Sequence, residues 1–157
     1  MAQDYRLHRE QWIGRPREEI FQFFSDARNL EALTPPWLGF RILSETRIPM
    51  HAGAEIGYQL AWHGLPIRWK TVILEWQPPH SFVDLQERGP YALWEHTHSF
   101  LSEEGGTRIV DHVRYRLPLG FLGAIAHRIR VRNDIARIFD YRAKAIEAHF
   151  STVHTGR

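Results

Sequence analysis

Residues 120–150 read GFLGAIAHRIRVRNDIARIFDYRAKAIEAHF, and their apolar positions decide the fold. Leu122, Ile125, Ile129, Ala136, Phe139, Ala143, Ile146 and Phe150 recur at intervals of three and four, with Arg132 completing the series. That is the period of one helical face. At 1.5 Å per residue a helix over this stretch runs about 45 Å. The chain before it alternates instead, as strands do, near Gly39 to Thr46, Ala54 to His63, Ile67 to Gln77, Ser81 to Arg88, Tyr91 to Ser102 and Thr107 to Leu117. Between them stand the turn signals His63-Gly64, Pro78-Pro79, Gly89-Pro90 and Glu104-Gly105-Gly106. Short turns between consecutive strands predict an antiparallel meander.

Upstream, Tyr5 to Ile13 alternates as a first strand and Gly14 closes it. Pro16 then opens a helix, with Glu18 and Glu19 at its positive end and Ile20, Phe23 and Phe24 as its apolar stripe. Ser25-Asp26 ends this helix and is expected to cap a second short one through Leu30 and Leu33. Thr34-Pro35-Pro36 forces a turn before Trp37. One economical arrangement follows: an α+β helix-grip domain spanning residues 1–157. In it a curved antiparallel sheet of about seven strands wraps around the long C-terminal helix, with two short helices after the first strand.

Composition narrows the function. With 43% hydrophobic and 13% aromatic residues the chain has ample material for a core. Twenty Lys and Arg against 18 Asp and Glu leave a formal net charge of +2, and no nucleic-acid-binding motif accompanies it, so no nucleic-acid partner is expected. No run reaches the length of an integral membrane segment and no signal peptide is evident. With no cysteine present, a cytoplasmic location is expected. No glycine-rich phosphate loop follows a strand, so no cofactor is expected.

The stretches Phe82-Val83-Asp84-Leu85-Gln86, Gly89-Pro90-Tyr91, Trp94-Glu95-His96-Thr97-His98-Ser99-Phe100 and Gly106-Thr107, with Asp111-His112-Val113-Arg114-Tyr115 ahead of Pro118, carry a resemblance. Together with the order of elements they make the chain similar to the START-like, or SRPBCC, superfamily. It looks most like the ligand-binding proteins near the polyketide cyclases and the birch-pollen-allergen fold. The resemblance implies a cavity between sheet and helix that takes lipids, sterols or aromatic molecules; some such proteins are enzymes and many only bind or carry.

On a strand, residues two apart share a face, so Trp94, His96, His98 and Phe100 look one way. Asp111, on the next strand, can lie beside one of the two His. Trp69, Thr71, Ile73, Gln86, Trp94, His96, His98, Phe100 and Tyr115, with Arg132 and Phe139 of the helix, are the candidate lining of a ligand cavity. Arg132 either snorkels to the edge or faces the cavity mouth. The aromatic side chains can equally fill the core completely. The leading expectation is binding or carriage of a small hydrophobic molecule. The alternative is an enzyme of cyclase, dehydratase or aldol type with His96 or His98 as general base and Asp111 setting its tautomer. Two His and one carboxylate also match the facial triad of non-haem iron proteins, although the long helix argues against a metal-binding jelly roll, and no metal is expected.

The arginines Arg128, Arg130, Arg132, Arg137 and Arg142 make the helix basic in its middle, read mostly as a solvated face. Peripheral contact with a membrane stays open, with Trp37 as part of a mobile lid, as does a monomer or a homodimer.

Overall fold

A computed structural model describes residues 2–44 and 49–152. Strand β1 (Asp4–Ile13) is followed by helices α1 (Arg17–Phe24) and α2 (Asn29–Leu33), a short 3-10 turn (Pro36–Leu38) and a two-residue strand β2 (Arg41–Ile42). Strands β3 (Glu55–Trp62), β4 (Leu65–Gln77), β5 (Ser81–Arg88), β6 (Leu93–Glu103) and β7 (Gly106–Arg116) come next. Helix α3 (Gly120–Ala126), a π-helical turn (His127–Val131) and helix α4 (Arg132–Thr152) complete the chain. The seven strands form one antiparallel sheet in the order β1-β7-β6-β5-β4-β3-β2, so the meander ends by pairing its last strand with the first. The sheet grips the terminal helix as the sequence predicts.

Three local readings change. The strand expected from Gly39 to Thr46 pairs only at Arg41 and Ile42, and Glu45 and Thr46 lie outside the described residues. Tyr91 belongs to the turn before β6 rather than to the strand. Asp26 does not cap α2; its carboxylate accepts the Arg28 backbone N–H at 3.0 Å and holds the turn between the two helices.

The larger correction concerns the terminal helix. The face turned to the sheet is Gly123, His127, Val131, Ile135, Phe139, Arg142, Ile146 and Phe150, while Leu122, Ile125, Ile129 and Arg132 are exposed. The expected and observed stripes share Phe139, Ile146 and Phe150, with Arg142 more deeply buried than the expected Ala143, and they part company before Phe139. Ahead of Val131 the π-helical turn widens the difference, because it fits one more residue than an α-helical turn and rotates everything N-terminal to it by about 100°. His127 anchors that turn, stacked on Tyr5 at 3.5 Å and hydrogen-bonded to the Tyr115 hydroxyl at 2.8 Å.

The core divides into two apolar clusters. One joins α1 (Ile20, Phe21, Phe23, Phe24) to Phe82, Phe100, Ile109, Ile146 and Phe150; the other joins Val113 and Tyr115 to Val131, Ile135 and Phe139. Each of three elements places polar residues between its contributions to these clusters. On β6 they are His96 and His98, short of Phe100; on β7 Asp111 stands between Ile109 and Val113; on α4 Arg142 stands between Phe139 and Ile146. The fold thus brings a buried polar layer together at mid-height.

Candidate functional site

Cross-strand register builds that layer. His96 pairs with Asp84 of β5 and with Val113 of β7, and His98 pairs with Phe82 and Asp111. Each carboxylate makes its short bond to the diagonal imidazole. Asp84 Oδ2 lies 2.6 Å from His98 Nε2, and Asp111 Oδ1 lies 2.7 Å from His96 Nε2. The two rings stack at 3.7 Å, and His98 also stacks on Phe82 at 4.1 Å. Arg142 closes the group from the helix, with Nη2 at 3.4 Å from His98 Nδ1 and 3.6 Å from Asp111 Oδ1. Its guanidinium lies over Phe24 and Phe139, and its buried Nε–H has no acceptor among the described residues.

The charge states follow from these neighbours. Burial pushes the Asp111 carboxyl up, but Arg142 and the bonds from His96 and His98 outweigh it and hold the group well below the usual carboxylate range. Asp84 is likewise lowered, burial being outweighed by His98. Burial and the charge of His98 lower His96, beyond what its bond to Asp111 restores. His98 is raised, because two carboxylates overcome its burial. Ionised carboxylates only accept, so His96 donates Nε2–H to Asp111 and His98 donates Nε2–H to Asp84. His96 Nδ1 is then an unprotonated acceptor with no hydrogen bond from any described residue.

Opposed shifts of two adjacent imidazoles shape the stability profile. The contribution of His98, raised, is complete below the unfolded value of about 6.5 and is lost as pH climbs through its folded value. That of His96, lowered, is complete above about 6.5 and is lost as pH falls through its folded value. Below about 4 the contributions of Asp84 and Asp111 go as well. Urea unfolding midpoints measured across the range are therefore expected to peak near pH ~6.5, and His98→Gln should flatten the alkaline side. A wild-type midpoint that climbs steadily past neutrality contradicts this assignment.

Beside the layer, between sheet and helix, lies a cavity of about 420 Å³. Of the candidate lining, Trp69, Thr71, Ile73, Trp94, His96, His98 and Phe139 border it. Thr71 Oγ1 accepts the Trp69 indole N–H at 3.1 Å and lies 3.3 Å from the Tyr58 hydroxyl, so even the polar atoms of that wall are mutually engaged. Four candidates do not border the cavity. Gln86 uses both ends of its amide on Tyr91, donating to the carbonyl at 2.8 Å and accepting the N–H at 3.1 Å, and so fastens the Gly89-Pro90 turn. Phe100 is sealed in the first apolar cluster and Tyr115 is turned to His127. Arg132, the first residue of α4, is exposed, with the neighbouring Val131 turned inward in its place.

Two side chains of the layer went unassigned in the sequence. Asp84 alternates with Phe82 and Gln86, and an acid on the face of an inward Phe was a legible signal. Arg142 lies three residues after Phe139 and four before Ile146, on the buried stripe rather than the solvated face. Asp84, His96 and His98 bring possible metal-donor atoms within 4.8 Å of one another. A cation there would have to displace protons that both His donate and sit near the Arg142 guanidinium; the set suits a proton better.

Residues 13–137 match the model of a family described as polyketide cyclase / dehydrase and lipid transport. No curated protein matches the chain. Among solved structures, protein Ms6760 from Mycobacterium smegmatis superposes with a TM-score of 0.71 at 17% identity, over 95% of this chain and 92% of that one. The protein TTHA0849 from Thermus thermophilus gives 0.71 at 21%, over 95% and 99%. A Thalictrum norcoclaurine synthase point mutant, in complex with a transition-state analogue, gives 0.66 at 14%, over 95% and 98%. At such identities these likenesses concern the fold alone.

Proposed function

We propose a function that proceeds from one premise: this chain belongs to the polyketide cyclase, dehydrase and lipid-transport family. It binds and carries a small, largely apolar molecule, aromatic or lipid-like, in the space between sheet and terminal helix. The observation that carries this reading is the cavity itself, walled mainly by apolar and aromatic side chains with ionisable groups, Asp84, His96, His98 and Arg142, gathered at the polar layer. Its volume of about 420 Å³ falls in the range of ligand sites. Left as a dry, sealed void it would cost about 10 kcal/mol at ~24 cal/mol per Å³, as much as a whole domain's stability. Apolar walls hold water poorly, so an apolar guest is the favourable filling, with the polar layer orienting its one oxygen or nitrogen function.

Native mass spectrometry of the purified protein, followed by titration with a fluorescent apolar dye, tests this. Trp69 and Trp94 border the cavity, so saturable one-to-one binding is expected to change intrinsic fluorescence, and apolar aromatic compounds are expected to displace the dye. Absence of any saturable binding across such compounds would sink the carrier reading.

The pairing of His96 with Asp111 favours a second reading. An imidazole held by a carboxylate through Nε2–H, with Nδ1 free, is arranged as a general base for proton abstraction beside a carbonyl, as in a cyclase or dehydratase. Exchange of α-deuterium from a bound ketone should then fall on His96→Gln by far more than any change in dye affinity accounts for. No helix among the described residues is long and apolar enough to span a bilayer.

A further inference from the structure

The π-helical turn that points Gly123 and His127 inward leaves a second apolar side facing solvent. Phe121 is 74% exposed, Ile129 71% and Leu119 76%, with Leu122 and Ile125 between them. The tip of the β3–β4 hairpin adds Leu65 and Trp62. A polar latch ties this tip to the helix. Trp62 Nε1–H donates to Asp134 at 3.0 Å, His63 Nε2 lies 2.9 Å from the same carboxylate, and Arg130 reaches His63 at 3.0 Å. Isolated apolar side chains on a surface need no explanation, but a contiguous group of this kind marks an interaction site.

Two observations identify the occupant. No acidic residue occurs from Leu117 to Asn133, while Arg128, Arg130 and Arg132 are exposed at the end of the apolar run. An apolar helical face with an arginine collar and no acids is the pattern of a segment lying in the interface of an anionic bilayer. The patch is also continuous with the cavity: Leu119, Leu122 and Trp62 both border the cavity and reach solvent. We propose that α3, the π-helical turn and the β3–β4 tip dock the protein on an anionic lipid surface, with the cavity mouth turned to the lipid. Trp37, the aromatic that the sequence pointed to for such a contact, stays 51% exposed beside Arg137 and Tyr141 of α4 and is not needed for this surface. This inference goes beyond ligand carriage and does not depend on it.

Flotation of the full chain with vesicles of phosphatidylcholine and phosphatidylglycerol, at low and at high salt, tests it. The variant F121S/I129S changes two exposed side chains that do not border the cavity, and R128E/R132E reverses the collar while sparing the latch. Wild type is expected to float with the anionic vesicles at low salt, with weaker partition at high salt. Each variant should partition about tenfold less while keeping its circular dichroism, melting temperature and dye affinity. The proposal is overturned by a wild type that stays unbound at low salt or by an F121S/I129S protein that floats as well as wild type. It is also overturned by a wild-type dimer in solution that F121S/I129S converts to monomer, since the patch would then be covered by a second copy.

Discussion

Replacing Asp111 by Ala is expected to remove about 3–5 kcal/mol of folding stability, measured as the shift of a urea unfolding curve at neutral pH. The carboxylate is 6% exposed and is the shared acceptor of the polar layer, bonded to His96 at 2.7 Å and facing His98 and Arg142 at 3.4 and 3.6 Å. Removing it leaves a buried guanidinium and two imidazoles with the negative charge of Asp84 alone. Most of the loss is therefore the penalty of stranded positive groups rather than of one missing hydrogen bond. Two companion variants separate these causes. Asp111→Asn keeps an acceptor for His96 and should lose less. Adding Arg142→Met to Asp111→Ala removes a stranded charge and should restore part of the stability. A loss below ~1 kcal/mol for Asp111→Ala, within the range of exposed ion pairs, would show that the layer is solvated.

The second large effect falls on Phe100, which the sequence placed among ligand contacts and the structure places in the sealed core. Its ring is 1% exposed and meets Phe24 at 5.2 Å and Phe21 at 5.4 Å. Truncation to Ala should open a new void and cost about 3–5 kcal/mol, with dye affinity unchanged. Phe139→Ala gives the contrast, because that ring borders the existing cavity and its loss enlarges the space offered to a guest. Phe139→Ala is expected to alter dye affinity and ligand preference. If Phe100→Ala changes dye affinity and Phe139→Ala does not, the division between core and cavity is wrong.

That exchange of roles shows what a sequence can and cannot carry. Alternation on β6 correctly put Trp94, His96, His98 and Phe100 on one face, because side-chain direction on a strand is a local property. Which of the four would meet the cavity depends on how far α1 reaches under the sheet, and α1 covers Phe100 but not Trp94. The meeting of His96 with Asp111 was legible as a pairing across one tight hairpin. Asp84 required the same step applied to the hairpin on the other side. Arg142 was hidden by its type: one arginine among several on a helix reads as solvated, and only the carboxylates brought opposite it make its burial tolerable. Helical phase failed for a different reason. Projection at a fixed period assumes one hydrogen-bonding pattern throughout, and five residues near the middle follow another.

Those five residues also set how the helix tolerates changes in length. The turn His127–Val131 accommodates a residue that a regular helix would not need. Deleting one of its exposed members, Ile129 for instance, would let the turn close as an ordinary α-helix. Gly123 and His127 on one side, and Ile135 and Phe139 on the other, would keep their aim at the sheet. Inserting an alanine at the same place would swing the whole of α3 out of alignment. The helix that grips the sheet thus contains a spare residue, and losing it disturbs the interior less than gaining another.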